Sequence, residues 1–304
     1  MKAKLFILTM ILLAACQPVE FENPEIRNDA RPAGNVYTLS LQANKAVDTK
    51  ALDLVPGESG APDNLDAYWK ESEKVKVYKG GTLLGTLDVT PGSGTKPATA
   101  TLSGNLTVTD GLATGDELTL MIPRDTWAYT GQVGTLASIE TTYDYATAAV
   151  TVKTIDGSAI TTTGSANFAN QQSIYRFGFQ DAGNSNAYIN PKDFSVSAAN
   201  GLLVQTVSYA GSAWTPVYGS LTVTPAAAPS DNFYYVSLRN GGTSDDTYNF
   251  IITDANDALY LASKAIPASV LEVPGKFISA KTISVAKPDM RPANGTISQA
   301  SDVL

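Results

Sequence analysis

Beyond residue 34 the chain is written largely in a two-residue period. Over residues 36–44, Tyr37, Leu39, Leu41 and Ala43 share one side while Thr38, Ser40 and Gln42 share the other. That is the alternation of a strand with one buried face. Residues 118–122 (LTLMI), 149–153 (AVTVK), 175–179 (YRFGF) and 248–252 (YNFII) are short, apolar and rich in β-branched or aromatic types, and they predict further strands. Turn-forming clusters separate them: residues 79–81 (KGG), 91–94 (PGSG), 240–242 (NGG) and 254–257 (DAND). Helical periods are short, with room for a turn or two over residues 65–73 and 135–146. The pattern predicts an all-β chain built as sandwiches. A boundary is expected near Gly164-Ser165, with about seven or eight strands on each side.

The first 34 residues break this pattern. Met1-Lys2-Ala3-Lys4 is a basic start, and residues 5–13 (LFILTMILL) are an apolar run about half as long as a membrane-spanning helix. This reads as an export signal. The run closes on Leu13-Ala14-Ala15-Cys16, which resembles the bacterial lipobox, and the chain's one cysteine stands where that motif places the acylated thiol. Residues 1–15 are therefore expected to be a lipoprotein signal peptide, cut between Ala15 and Cys16. Acyl chains on Cys16 would anchor the chain at about 0.8 kcal/mol per buried CH₂. Residues 16–34, with Pro18, Pro24 and Pro32 among scattered acids, read as a flexible tether. The expected location is the cell outer membrane, facing outward.

Composition narrows the chemistry. There is no histidine, which removes Ser-His-Asp and Cys-His catalysis and every His-ligated metal site. A single cysteine forms no internal disulfide. Acids outnumber bases 29 to 21 for a net charge of −8, so nucleic acid is not an expected partner. Phosphate-loop, dinucleotide and nucleophile-elbow patterns are absent, and nothing local singles out a carboxylate pair for hydrolysis. No enzymatic activity, cofactor or metal is expected.

Four blocks carry a family resemblance. Residues 35–54 (NVYTLSLQANKAVDTKALDL), 69–87 (WKESEKVKVYKGGTLLGTL), 123–136 (PRDTWAYTGQVGTL) and 168–179 (FANQQSIYRFGF) resemble the fimbrillin, or type V pilin, family in content and order. Residues 181–304 match only in strand character. The resemblance implies two tandem transthyretin-like β-sandwich domains, over residues 35–164 and 165–304. It also implies export as a lipoprotein and assembly with other fimbrial subunits into adhesive surface filaments by donor-strand exchange. In that scheme proteolysis after a basic residue removes the first strand, and an extended segment of a neighbour takes its place by β-augmentation. The strand to be removed would be the one holding Tyr37, Leu39, Leu41 and Ala43. Burying each large apolar side chain stabilises by about 1.5–3 kcal/mol, and its loss would leave a groove beside an unpaired sheet edge. The matching basic position is Lys50, with Lys45 as the second candidate; processed family members usually carry arginine there.

A donor must itself be an alternating apolar strand. Residues 276–286 (KFISAKTISVA) offer Phe277, Ile283 and Val285, whereas residues 287–304 hold two prolines and few large apolar groups. Polymerising stalk subunit and lipid-retained accessory or anchor subunit therefore both remain open, as does the host or bacterial receptor. The other class of function is a lipid-anchored glycan-binding lipoprotein. Trp69, Trp127, Tyr129, Tyr143, Tyr145, Trp214 and Tyr218 would be its sugar platforms, although aromatics on sandwiches more often pack inward. Ser244-Asp245-Asp246 and Asp254, Asn256 and Asp257 are oxygen-rich turns. Neither alone supplies the six to eight or so oxygens of a calcium site, and solvated turns are the expectation.

Overall fold

The computed structural model describes residues 34–45, 52–56, 62–122, 126–210, 213–271, 274–279 and 282–288. Among these residues the chain is all-β. Its first half holds β1 (Asn35–Lys45), β2 (Leu52–Pro56), β3 (Pro62–Ala67), β4 (Lys74–Lys79), β5 (Thr82–Pro91), β6 (Thr99–Val108), β7 (Glu117–Ile122) and β8 (Thr126–Ala128). After β8 a short helix, α1 (Leu136–Ser138), runs into a π-helical turn (Ile139–Tyr143), followed by β9 (Ala146–Asp156), β10 (Ala159–Thr162) and β11 (Ala166–Asn170). The second half begins with β12 (Ser173–Phe177), β13 (Phe179–Asp181), β14 (Ala187–Tyr188), β15 (Pro191–Ala198) and β16 (Val204–Ala210). It continues with β17 (Ala213–Tyr218), β18 (Leu221–Val223), β19 (Tyr234–Leu238), β20 (Asp246–Asp254) and β21 (Leu259–Ile266). A helical turn, α2 (Ala268–Leu271), then leads to β22 (Phe277–Ser279) and β23 (Ile283–Val285).

Local chemistry accounts for the elements. The two-residue turn Gly80-Gly81 joins β4 to β5 with φ of 56° and 84°, a conformation in which only glycine is unstrained and which matches strand twist. Thr135 caps α1, its hydroxyl oxygen accepting from the Ser138 N–H at 3.2 Å. Residues 65–73, expected to hold a helical turn, instead carry the end of β3 and a turn at Glu71-Ser72.

The first half closes on itself. Its strands pair in the order β1–β6–β5–β4–β7–β9, and both β10 and β11 bridge β9 back to β1. Closure joins what would be the two edges of an open sandwich, so the ring has no free edge where β1 sits. The interior is aliphatic: Leu39, Leu41, Val75, Leu102, Leu118 and Val150 are among its buried members, with Trp69 and Phe168 at one end. Just beyond Gly164-Ser165, β11 belongs to the ring, pairing with β1 and β9 and burying Ala166 and Phe168 there.

The second half is assembled from smaller sheets: β19-β12-β22, β14-β13-β23, β18-β15-β20-β21 and β17-β16-β8. β12 and β19 are buried along their full length, the signature of strands covered on both faces. Aromatic contacts join these sheets; Phe177 meets Phe250 at 5.1 Å and Phe179 meets Phe194 at 5.0 Å between ring centroids. The first half contributes to this core as well. Between β7 and β9 the chain leaves the ring, β8 pairs with β16, and Trp127, Tyr129 and Tyr145 are buried in the second core. Buried Gln132 fastens the excursion, donating to the carbonyls of Tyr129 and Ser237 at 2.8 Å each and accepting from the Ser237 N–H at 2.7 Å.

Candidate functional site

The candidate site is the seat of β1. Ten of its residues, Asn35 to Asn44, run antiparallel to β6 in unbroken register against Val108 to Thr99. The opposite side is attached more sparsely and in parallel: Thr38 and Leu39 face Ala159 and Ile160 of β10, and Ala43, Asn44 and Lys45 face Ala166, Asn167 and Phe168 of β11. Alternation then decides orientation. Leu39, Leu41 and Ala43 are buried in the ring, and Tyr37 is half-buried against the same interior. Outward, the Gln42 amide donates to the Thr101 hydroxyl at 2.9 Å and the Asn44 amide to the Asn167 side-chain oxygen at 2.8 Å.

The same phase carries one residue further and turns Lys45 inward. Its side chain is fully enclosed. The Lys45 ammonium donates to both Glu73 carboxylate oxygens, at 2.8 and 2.9 Å, and to the Tyr68 carbonyl at 2.7 Å. It also lies 4.4 Å from the centroid of the Trp69 ring, and Trp69 in turn packs edge-on against Phe168 at 5.4 Å. Glu73 accepts a further bond from the Lys70 N–H at 2.9 Å. The Lys70 ammonium turns the other way to Glu140, and that hydrogen bond raises its pKa above the ordinary lysine value. A buried cation is thus paired, hydrogen-bonded and stacked, as a charge withdrawn from water must be.

The remaining sequence candidates fall as follows. Of the two basic positions expected to be cut, Lys45 is enclosed by Glu73 and Trp69. Lys50, Ala15 and Cys16 lie outside the described residues. The C-terminal donor candidates are engaged within their own chain: β22 pairs in parallel with β12 and β23 with β13. Ile283 and Val285 are buried in the second core, and Phe277 is half-buried beside the Ile174 cluster.

The aromatic platforms do not stand open. Trp69, Trp127, Tyr129, Tyr143 and Tyr145 are buried, and half-buried Trp214 stacks on Trp127 at 4.3 Å between centroids. Tyr218 alone of that set is exposed. The acidic turns bind backbone. Asp246 accepts from the N–H groups of Asn200 and Thr247, Asp245 from Ala268, and Asp254 from Asn256 and Ala258, while Asp257 accepts from the Lys192 ammonium. Among the described residues no three Cys, Asp or Glu side chains converge to hold a metal, and no helix is long and apolar enough to cross a membrane. The residue that sequence reasoning missed is Glu73. The available signal was Lys45, standing in phase with Leu39, Leu41 and Ala43 and so committed to the interior with an opposite charge.

No family model matches the chain, and no curated protein matches it. Among solved structures, it is similar to a candidate cell adhesion protein of Bacteroides uniformis at 13% identity, covering 83% of this chain and 96% of that one with a TM-score of 0.41. A candidate cell adhesion protein of Bacteroides ovatus overlaps at 11% identity over 83% and 96% of the two chains, TM-score 0.40. The C-terminally truncated tip fimbrial protein of Porphyromonas gingivalis does so at 10% identity over 75% and 81%, TM-score 0.36. All three scores lie below one half.

Proposed function

We propose that this chain is a structural or accessory subunit of surface fimbriae, brought to the outer membrane by lipid on Cys16 and freed from that anchor when its first strand is cut away and exchanged for a strand of a neighbouring subunit. The family resemblance of the four sequence blocks motivates the reading, including its two transthyretin-like domains. The observation that carries it is the seating of β1. One strand at the chain's beginning closes the ring, with a long antiparallel ladder to β6 on one side and only short parallel contacts on the other. Its departure would uncover a β6 edge and the space held by Leu39, Leu41 and Ala43. Those are the two things an incoming strand needs, main-chain partners for affinity and alternate pockets for specificity. Cleavage is assigned to Lys50 rather than to the enclosed Lys45.

The test is limited digestion of the folded full chain by a lysine-directed protease. Cleavage at Lys50 should release the whole segment that ends at Lys50, β1 included, and yield ladders that survive mild detergent. Monomer that keeps its N-terminal fragment bound after the cut would overturn the exchange. The anchor is tested separately: Cys16→Ser should abolish acyl labelling and membrane retention, and a labelled, retained variant would contradict it.

A further inference from the structure

We propose that Glu73 selects the strand that enters the ring, admitting a segment that places a lysine where Lys45 now sits. This deepens the reading above and requires β1 to be replaceable, as proposed there. When β1 leaves, Lys45 leaves with it. Glu73, whose side chain is only 5% exposed, then loses the cation that meets both its oxygens. It keeps one bond, from the Lys70 N–H. A neutral strand end seated in the same register would bury that carboxylate unpaired, and a carboxylate deprived of its partner out of water is strongly disfavoured.

The geometry also distinguishes among cations. Around the Lys45 ammonium stand three acceptor atoms within 2.9 Å, the two Glu73 oxygens and the Tyr68 carbonyl, and an ammonium has three hydrogens to give. The Trp69 ring lies on one side. A flat guanidinium, with its five donors in a rigid fork, does not reproduce that three-way convergence. The partner is therefore an extended segment of a neighbouring subunit with a defined pattern. It carries apolar side chains at two alternating positions, a small one at the next and lysine at the one after, as Leu39, Leu41, Ala43 and Lys45 do here. Lysine would set register as well as identity, because a slip of two residues would place the small apolar residue against Glu73 if it ran one way and carry the charge inside the aliphatic ring if it ran the other.

The test uses the full chain with a site-specific protease sequence introduced within residues 46–51 and cut after folding. Labelled synthetic peptides then compete for the vacated ring: residues 35–45 as they stand (NVYTLSLQANK), and the same peptide carrying Lys45→Met or Lys45→Arg. The expected result is that the native peptide is retained on gel filtration, the methionine peptide binds about thirtyfold more weakly or worse, and the arginine peptide falls between them. In a Glu73→Gln chain the lysine-to-methionine ratio should shrink to within about threefold. Because the peptide variants leave the protein untouched, the comparison stands even if Glu73→Gln fails to fold. Equal retention of the lysine and methionine peptides by the unaltered chain would overturn the selection by Glu73 and leave strand replacement intact. Entry of no peptide at all would overturn both.

Discussion

The two cores of this molecule are built on different plans. The ring is aliphatic and held by continuous backbone pairing, each strand bonded to a neighbour on both sides. The second core is aromatic, its small sheets joined through side chains such as Tyr175, Phe177, Phe179, Phe194, Tyr234, Tyr248 and Phe250. A ring of aliphatic strands can lose one member and keep the pairings of the rest. Sheets wedged together by rings depend on each ring they share, since aromatic contacts across sheets have no ladder behind them. On the exchange proposed above, the first core would give up a part and the second would stay whole.

The largest blow to that contrast should come from the second core. Phe177 is fully buried and touches both Tyr175 and Phe250, so Phe177→Ala should cost about 3–5 kcal/mol in denaturant unfolding. Fluorescence of Trp127 and Trp214, which stand in that core, would register it first. Leu39→Ala should cost about 2–5 kcal/mol, reported by Trp69 in the ring. If the ring is the independent unit described here, the two tryptophan signals should separate in each variant. Coincident transitions in both would show that the cores unfold together.

Alkali should sharpen the difference more gently. Burial raises the pKa of Tyr129, Tyr175 and Tyr248 in the second core, and that of Tyr234 to about 12. A raised pKa means the folded state holds its proton after the unfolded chain has begun to lose it near pH 10. The associated stability is fully present below about pH 10 and falls as pH rises toward the folded-state value near 12. Denaturant midpoints measured from pH 9 to 11 should therefore drop for the second core's tryptophan signal more than for Trp69. The smallest effect is expected on the outer face of β20, where exposed Ile251 stands opposite Leu261; Ile251→Thr should move stability by no more than about 0.5 kcal/mol.

How far the sequence could be read follows from which interactions are local. The alternation over residues 36–44 predicts which side chains of β1 turn inward, because the pleat has a period of two wherever the strand pairs. The turns at Gly80-Gly81 and residues 254–257 were equally legible, since both are set by the turn residues themselves. The identity of the partners was not. Nothing in the β1 sequence shows that it meets β6 on one side and β10 with β11 on the other, and so nothing announces a closed ring. Tyr129 and Tyr145 read as aromatics near a loop, whereas the path of residues 126–145 into the second core depends on β16, some 80 residues away by the Thr126↔Ser208 register. Lys45 shows the limit most plainly. A lysine at the end of a strand reads as exposed and cleavable until Glu73, 28 residues on, is placed beside it.

The excursion between β7 and β9 has a mechanical side. Both of its flanking strands belong to the ring, while its middle, with Trp127, Tyr129 and Gln132, is embedded beyond it. Tension drawing the two halves apart would not stretch a simple linker but would have to extract this loop from among stacked rings. A filament made of such units would transmit pull from one core to the next through a plug seated in its socket, and would yield only where that plug comes free.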